Sequence, residues 1–284
     1  MIIVGAPRSG TNMLRDVLAS LEGYTTWPCD EINLVWRHGN RRARSDELTP
    51  QMARPEVRDY LHEQFARIEK KYHAHSVVEK TCANSLRVDF VARAFPDAKY
   101  LFIRRDGIDA AASAMSRWHA PVDLRYTAAK ARFVPPTDLP YYARQYARNR
   151  LRTPRSRSAQ HSHHGVESWW GPRTLDADEL RAHHPLDELC IIQWERCVTS
   201  AMQGLSRLSQ TQVLEIVYEE FVVTPADHLW RILDFLDTPE AFDESAVRDV
   251  SRRSVGKGRT ALDGEGVARL DALAGSTLRT LGYA

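Results

Sequence analysis

The stretch MIIVGAPRSGTNMLRDVL, Met1 to Leu18, decides the fold. Ile2, Ile3 and Val4 suit a buried strand, Gly5 and Gly10 permit unusual backbone angles, and Met13, Leu14, Val17, Leu18 and Leu21 recur at helical spacing. A strand turning tightly into a helix aims backbone N–H groups and the positive end of the helix dipole at one point, a seat for an anion. Arg8, inside the turn, adds a fixed positive charge. The glycines match the phosphate-binding loop G-x-x-x-x-G-K-[ST], yet Thr11 stands where that loop has its Lys and Asn12 where it has the magnesium-binding hydroxyl. The oxyanion cradle is kept and the metal and γ-phosphate machinery is lost. The pattern argues against an ordinary ATPase, GTPase or kinase and for a donor whose reacting group Arg or Lys alone can neutralise.

The 284 residues, 43% of them hydrophobic, are enough for one large α/β domain, which is the expected organisation. A formal net charge of +2 is too near zero for a nucleic-acid binder, although Arg37–Arg44 and Tyr141–Arg157 are locally basic and suit an anionic small molecule. The four cysteines, Cys29, Cys82, Cys190 and Cys197, show neither CxxC spacing nor a disulfide framework, so free thiols in a reducing compartment are expected. No basic leader precedes the short apolar start, and no stretch approaches the roughly 18 apolar residues of a membrane span. The expectation is a soluble, cytoplasmic protein.

Beyond the first helix, the turn-rich segment Gly23–Glu31 returns toward the anion loop. An acid such as Glu31 there is either a solvated loop residue or one that accepts a proton from an incoming hydroxyl. Residues 56–72 read as an exposed amphipathic helix, and His75–Lys80 as a second strand. Lys80, at that strand's carboxyl end, is either a ligand contact or half of a surface ion pair. Asn84 is expected to cap the helix that follows. Lys99–Ile103 is a strand, Arg104–Gly107 a turn with Asp106 as helix cap, and Ile108–Trp118 an Ala-rich helix. Arg105 and Ser113, eight residues apart across this junction, are placed to reach one phosphate.

From 119 to 185 the pattern becomes irregular and proline-punctuated, as expected of an insert or lid shaping an acceptor pocket. Tyr141–Leu151 has a helical pattern, and Trp169 and Trp170 suit either pocket lining or core packing. The histidines at 161, 163 and 164 have no Cys, Asp or Glu at a firm ligand spacing, so no metal site is expected. Order returns with a helix over Leu186–Leu208, a strand over Gln212–Tyr218 and a helix from Pro225 to about Leu236. Tyr218 ends its strand at the ligand edge. Ser254–Arg259 reads as a flexible basic loop before a helix from Gly264 to about Leu281, and its Lys257 and Arg259 either close over a phosphate or belong to a linker.

Taken together, GAPRSGTNML, IRRDGIDAAASAM, EIVYEEFVVTPADHLWRILDFL and SVGKGRTAL resemble the sulfotransferases that use 3′-phosphoadenosine 5′-phosphosulfate (PAPS). The likeness covers about 1–37, 77–118 and 186–284, and the proline-arginine form of the loop is nearest the bacterial and tyrosylprotein-type branches. The resemblance implies an α/β fold, a central parallel sheet flanked by helices in the three-layer, P-loop NTPase-like sulfotransferase arrangement. It implies transfer of the sulfuryl group from PAPS to a hydroxyl of a small-molecule acceptor by in-line displacement, releasing 3′-phosphoadenosine 5′-phosphate (PAP). Pro7, Arg8, Ser9, Gly10, Thr11 and Asn12 would hold the 5′-phosphosulfate. Arg105, Ser113, Lys257 and Arg259 would hold the 3′-phosphate, with Tyr218 beside them, and Lys80 would contact the transferring group. Where many cytosolic members have a His two residues after that Lys, this chain has Cys82, and Glu31 matches the base of the proline-arginine branch. The competing readings are a kinase-like phosphoryl transferase and a nucleotide-binding module without chemistry.

Overall fold

A computed structural model of the chain describes residues 1–118, 133, 135, 137–144 and 169–283. Its centre is a parallel sheet of β1 (Ile2–Val4), β4 (Glu79–Lys80), β5 (Tyr100–Arg104) and β6 (Val213–Val217), in the order β4-β1-β5-β6. Every pairing is parallel, with Ile3 opposite both Lys80 and Leu101. The chain leaves β1 toward β4 and leaves β5 toward β6, so a crevice opens at the carboxyl ends of β1 and β5.

Alternation along the strands divides the core into two layers. Ile2, Val4, Tyr100 and Phe102 pack with residues of α3 (Pro55–Tyr72), α4 (Val88–Ala94), α5 (Gly107–Trp118), α7 (Leu186–Leu205) and α11 (Gly264–Thr280). Ile3, Leu101, Ile103 and Ile216 face α1 (Thr11–Ala19) and α9 (Pro225–Phe235). Leu14 and Leu18 of α1 are fully buried on that side, each contributing about 1.5–3 kcal/mol by removal from water. The helix carrying the anion loop is thereby clamped to the sheet.

Several local expectations are corrected. His75–Lys80 is not one strand: β3 (Ser76–Val77) pairs with β2 (Tyr24–Thr25) in a separate two-stranded sheet, and only β4 joins β1. The switch occurs at Val78, whose N–H and C=O are both taken by the Thr25–Thr26 segment. Asn84 caps no helix, because Glu79 and Arg87 engage its side chain. The helix over 55–72 is amphipathic, but Val57, Leu61, Phe65 and Ile68 sink its apolar stripe into the core.

The span 119–185 contains helix at 139–144 and at α6 (Ala177–His183), whose acidic first turn and basic last turn suit the helix dipole. The remainder of the Tyr141–Leu151 pattern and the histidines at 161–164 lie outside the described residues. Trp169 and Trp170 pack around Trp118 at the end of α5, with ring centroids 5.4 and 6.5 Å away.

Ser254–Arg259 is not a flexible loop. A 3-10 turn (Arg252–Ser254) leads through Gly256 into the short helix α10 (Lys257–Ala261). The buried Asp109 carboxylate accepts the N–H groups of Gly256 and Gly258, both at 2.6 Å. A Cβ on Gly258 would lie 2.6 Å from the Asp109 Cα, so only glycine permits this approach.

Candidate active site

The anion loop runs from β1 into α1 across the crevice. Gly10, the residue before α1, has φ of 89° and supplies no side-chain cap, so the first-turn N–H groups of the helix stay available to a ligand. A Cβ at Gly10 would sit 2.4 Å from the Tyr218 ring. Arg8 adopts φ of 68°, a strained backbone for a residue other than glycine, of the kind that concentrates at ligand-binding turns. Its Nε donates to Ser113 Oγ at 2.9 Å. Burial lowers the Arg8 pKa, and the charges of Arg117 and Arg105 lower it further. Two guanidinium groups, those of Arg8 and Arg105, thus meet at the loop, with Arg8 held by a neutral hydroxyl rather than by a carboxylate.

Arg105 is buried just past β5. It donates to the Arg8 and Ser254 carbonyls and lies 4.6 Å over the Tyr218 ring. The Tyr218 hydroxyl meets Ser254 Oγ at 2.6 Å. The buried Arg105 Nε and Ser9 Oγ have no hydrogen-bond partner among the described residues. Such orphaned polar atoms beside an uncapped helix end fit an anionic ligand that would complete them.

The sequence-predicted residues therefore form two groups on either side of the loop. Arg8, Ser9, Gly10, Arg105, Ser113 and Tyr218 stand on one side. Lys257 is exposed at the start of α10, and Arg259 is paired with Asp106 at 2.9 Å and bonded to the Tyr283 carbonyl. Asp106 also caps α5 as expected, accepting from the N–H groups of Ile108 and Asp109.

On the other side, Lys80 Nζ lies 3.1 Å from Glu31 Oε1, which also accepts the Cys82 N–H at 3.3 Å. The Lys80 side chain is 2% exposed and that of Glu31 26%, so water reaches the acid but not the amine. Burial opposes the charge on Lys80, but the Glu31 carboxylate outweighs it and holds the Lys80 pKa above its ordinary value. Burial, reinforced by Glu31, pushes the Cys82 thiol far up, which leaves it neutral and unfit as a base. Thr11 bridges the two groups, its hydroxyl 3.7 Å from Cys82 Sγ. Among the described residues no cluster of three or more His, Cys, Asp or Glu side chains could hold a metal ion.

The profile described as the Sulfotransferase family matches residues 1–166. The chain belongs to the sulfotransferase family. Among solved structures, this sulfotransferase is similar to the sulfotransferase domain from the curacin biosynthetic pathway, with a TM-score of 0.51 and 13% identity over 90% of this chain and 78% of that one. It is equally similar to sulfotransferase STF9 from Mycobacterium avium, with a TM-score of 0.51 and 14% identity over 100% of this chain and 77% of the other. At such identities the likeness concerns the fold. No curated protein matches the chain in sequence.

Sequence reasoning missed several residues that build the candidate site. Arg15, one turn into α1, donates to the Asp30 carbonyl and carboxylate at 3.2 and 3.3 Å and so holds the segment bearing Glu31. Asp109 and Ser254 hold Arg105 from behind, at 3.5 Å and through the Ser254 carbonyl. The four-residue step from Arg105 to Asp109 across the strand-helix junction is a detectable signal. Ser254, 149 positions away from Arg105, carried none.

Proposed function

We propose that this sulfotransferase moves the sulfuryl group of PAPS to a hydroxyl of a small-molecule acceptor, releasing PAP and a sulfate ester. The observation that carries the reading is the meeting of Arg8 and Arg105 at an uncapped helix end, with Arg8 bonded to a neutral serine and a Lys80–Glu31 pair across the loop. Thr11 and Asn12 in place of the phosphate-loop Lys and hydroxyl favour this donor over a nucleoside triphosphate with its magnesium ion.

PAPS would supply an activated sulfuryl group on a good phosphate leaving group. Arg8 and the loop amides would hold the 5′-phosphate and neutralise charge on the departing oxygen. Ser9, Gly10, Thr11 and Asn12, with Pro7 shaping the turn, would complete that seat. Arg105 and Ser113 would take the 3′-phosphate, flanked by Tyr218, with Lys257 and Arg259 adding charge at the rim. Lys80 would donate to the sulfuryl oxygens. Glu31 would accept the acceptor's hydroxyl proton as the new O–S bond forms and the S–O bond to phosphate breaks.

The test is incubation with labelled PAPS and a pool of hydroxylated metabolites, followed by mass detection of sulfated products. Labelled sulfate esters with stoichiometric PAP support the reading; transfer from labelled ATP under the same conditions would overturn it.

A further inference from the structure

Four consecutive residues at the end of β4 grip the arm that bears Glu31. Glu79 accepts the Trp36 indole N–H at 3.0 Å, Lys80 pairs with Glu31, Thr81 Oγ1 accepts the Ile32 N–H at 3.2 Å, and the Cys82 N–H donates to Glu31. Thr81 differs from Lys80 and Cys82 in holding the backbone beside Glu31 rather than Glu31 itself. It is fully buried. The backbone next to Glu31 is thereby tied to β4. That strand lies in register with β1, where Lys80 stands opposite Ile3, two residues before the anion loop.

We propose that Thr81 is a positioning residue for Glu31, fixing the reach of the proton acceptor from the donor seat. The inference rests on the reading of Glu31 as the base of a sulfotransferase. Without the hydroxyl, the buried Ile32 N–H loses its partner and the arm shifts to recover one. Catalytic geometry is intolerant of such a shift: a displacement of about 1 Å can cost on the order of a hundredfold in rate.

The experiment compares Thr81→Val, which keeps the shape and loses the hydroxyl, with Thr81→Ser, which keeps the hydroxyl. Turnover is read with labelled PAPS and the fastest acceptor among 4-nitrophenol, benzyl alcohol, a long-chain alcohol and glucosamine, and PAP binding is read by calorimetry. The expected result is kcat about ten- to a hundredfold lower in Thr81→Val, with acceptor KM and PAP affinity within about twofold of the unmodified protein. Thr81→Ser should recover kcat to within about threefold. In a Glu31→Gln background, Thr81→Val should cost nothing further, because Thr81 acts through Glu31.

Unchanged kcat in Thr81→Val, no recovery in Thr81→Ser, a parallel loss of PAP binding, or full additivity with Glu31→Gln would each overturn the proposal. If Thr81→Val does not fold, Thr81→Ala takes its place in the same cycle. An unmodified protein that binds no PAP and sulfates none of the acceptors would instead defeat the underlying sulfotransferase reading.

Discussion

Glu31→Gln separates the two ends of the proposed donor. Lys80 Nζ stands 3.1 Å from Glu31 Oε1, a separation worth about 5 kcal/mol of direct attraction at an effective dielectric near 20. Water reaches Glu31, 26% exposed, and the Cys82 N–H shares its oxygen, so the net contribution falls between an exposed and a buried pair, about 1–2 kcal/mol. If Lys80 must turn from Glu31 to the sulfuryl oxygens when PAPS binds, Glu31→Gln removes that cost. The variant should bind PAPS about five- to thirtyfold tighter. PAP carries similar charge at its 5′ end but no sulfuryl group, and its affinity should change less than about threefold. Turnover should fall at least about a hundredfold through loss of the base. Calorimetric titration of both nucleotides into the two proteins, without acceptor, reads the difference. Equal shifts for PAPS and PAP would refute the assignment of Lys80 to the transferring group.

Other consequences are open to direct measurement. Arg105→Gln should weaken PAP by at least about thirtyfold while leaving adenosine 5′-phosphate, which lacks the 3′-phosphate, within about threefold; competition binding checks this. Gly10→Ala sets a Cβ 2.4 Å from the Tyr218 ring at φ of 89°, and should destabilise the protein by about 1–3 kcal/mol in denaturant unfolding. Asp109→Asn replaces an acceptor of the Gly256 and Gly258 N–H groups and should speed proteolysis within 252–261, with about 1–3 kcal/mol lost. At pH 8, Cys29 should react fastest with a thiol reagent. Cys82, Cys190 and Cys197 are buried, and burial raises all three thiols, the last two to about 12.

The parts of the site that share a short segment were legible in the chain. Gly5, Arg8 and Gly10 announce a strand-turn-helix anion seat through spacing alone, and Arg105 with Ser113 brackets a second strand-helix junction. Apolar strand runs and helical periodicity located the core elements, because burial leaves a local pattern in the sequence. Contacts that close over long separations left no such signal. Ser113 meets Arg8 across 105 positions, and Asp109 meets Gly258 across 149, so a stretch readable as a loose basic loop is pinned to α5. Arg259 read as a phosphate contact from its glycine-flanked basic stretch and the family likeness of SVGKGRTAL; its pairing with Asp106 depends on how α10 docks. Thr81 beside Lys80 carries no signal in the chain, and its bond to Ile32 closes over 49 positions.

The central claim, that the seat is built for a 3′-phosphorylated donor without magnesium chemistry, is tested most directly by nucleotide titration. Thermal unfolding with PAP and with ADP, each in the presence and absence of magnesium, reads the preference because a ligand of the native state raises the melting temperature. The account predicts that PAP stabilises the protein at concentrations at least about tenfold below ADP, independently of magnesium. Equal or stronger stabilisation by ADP, or by ADP only with magnesium, would contradict it.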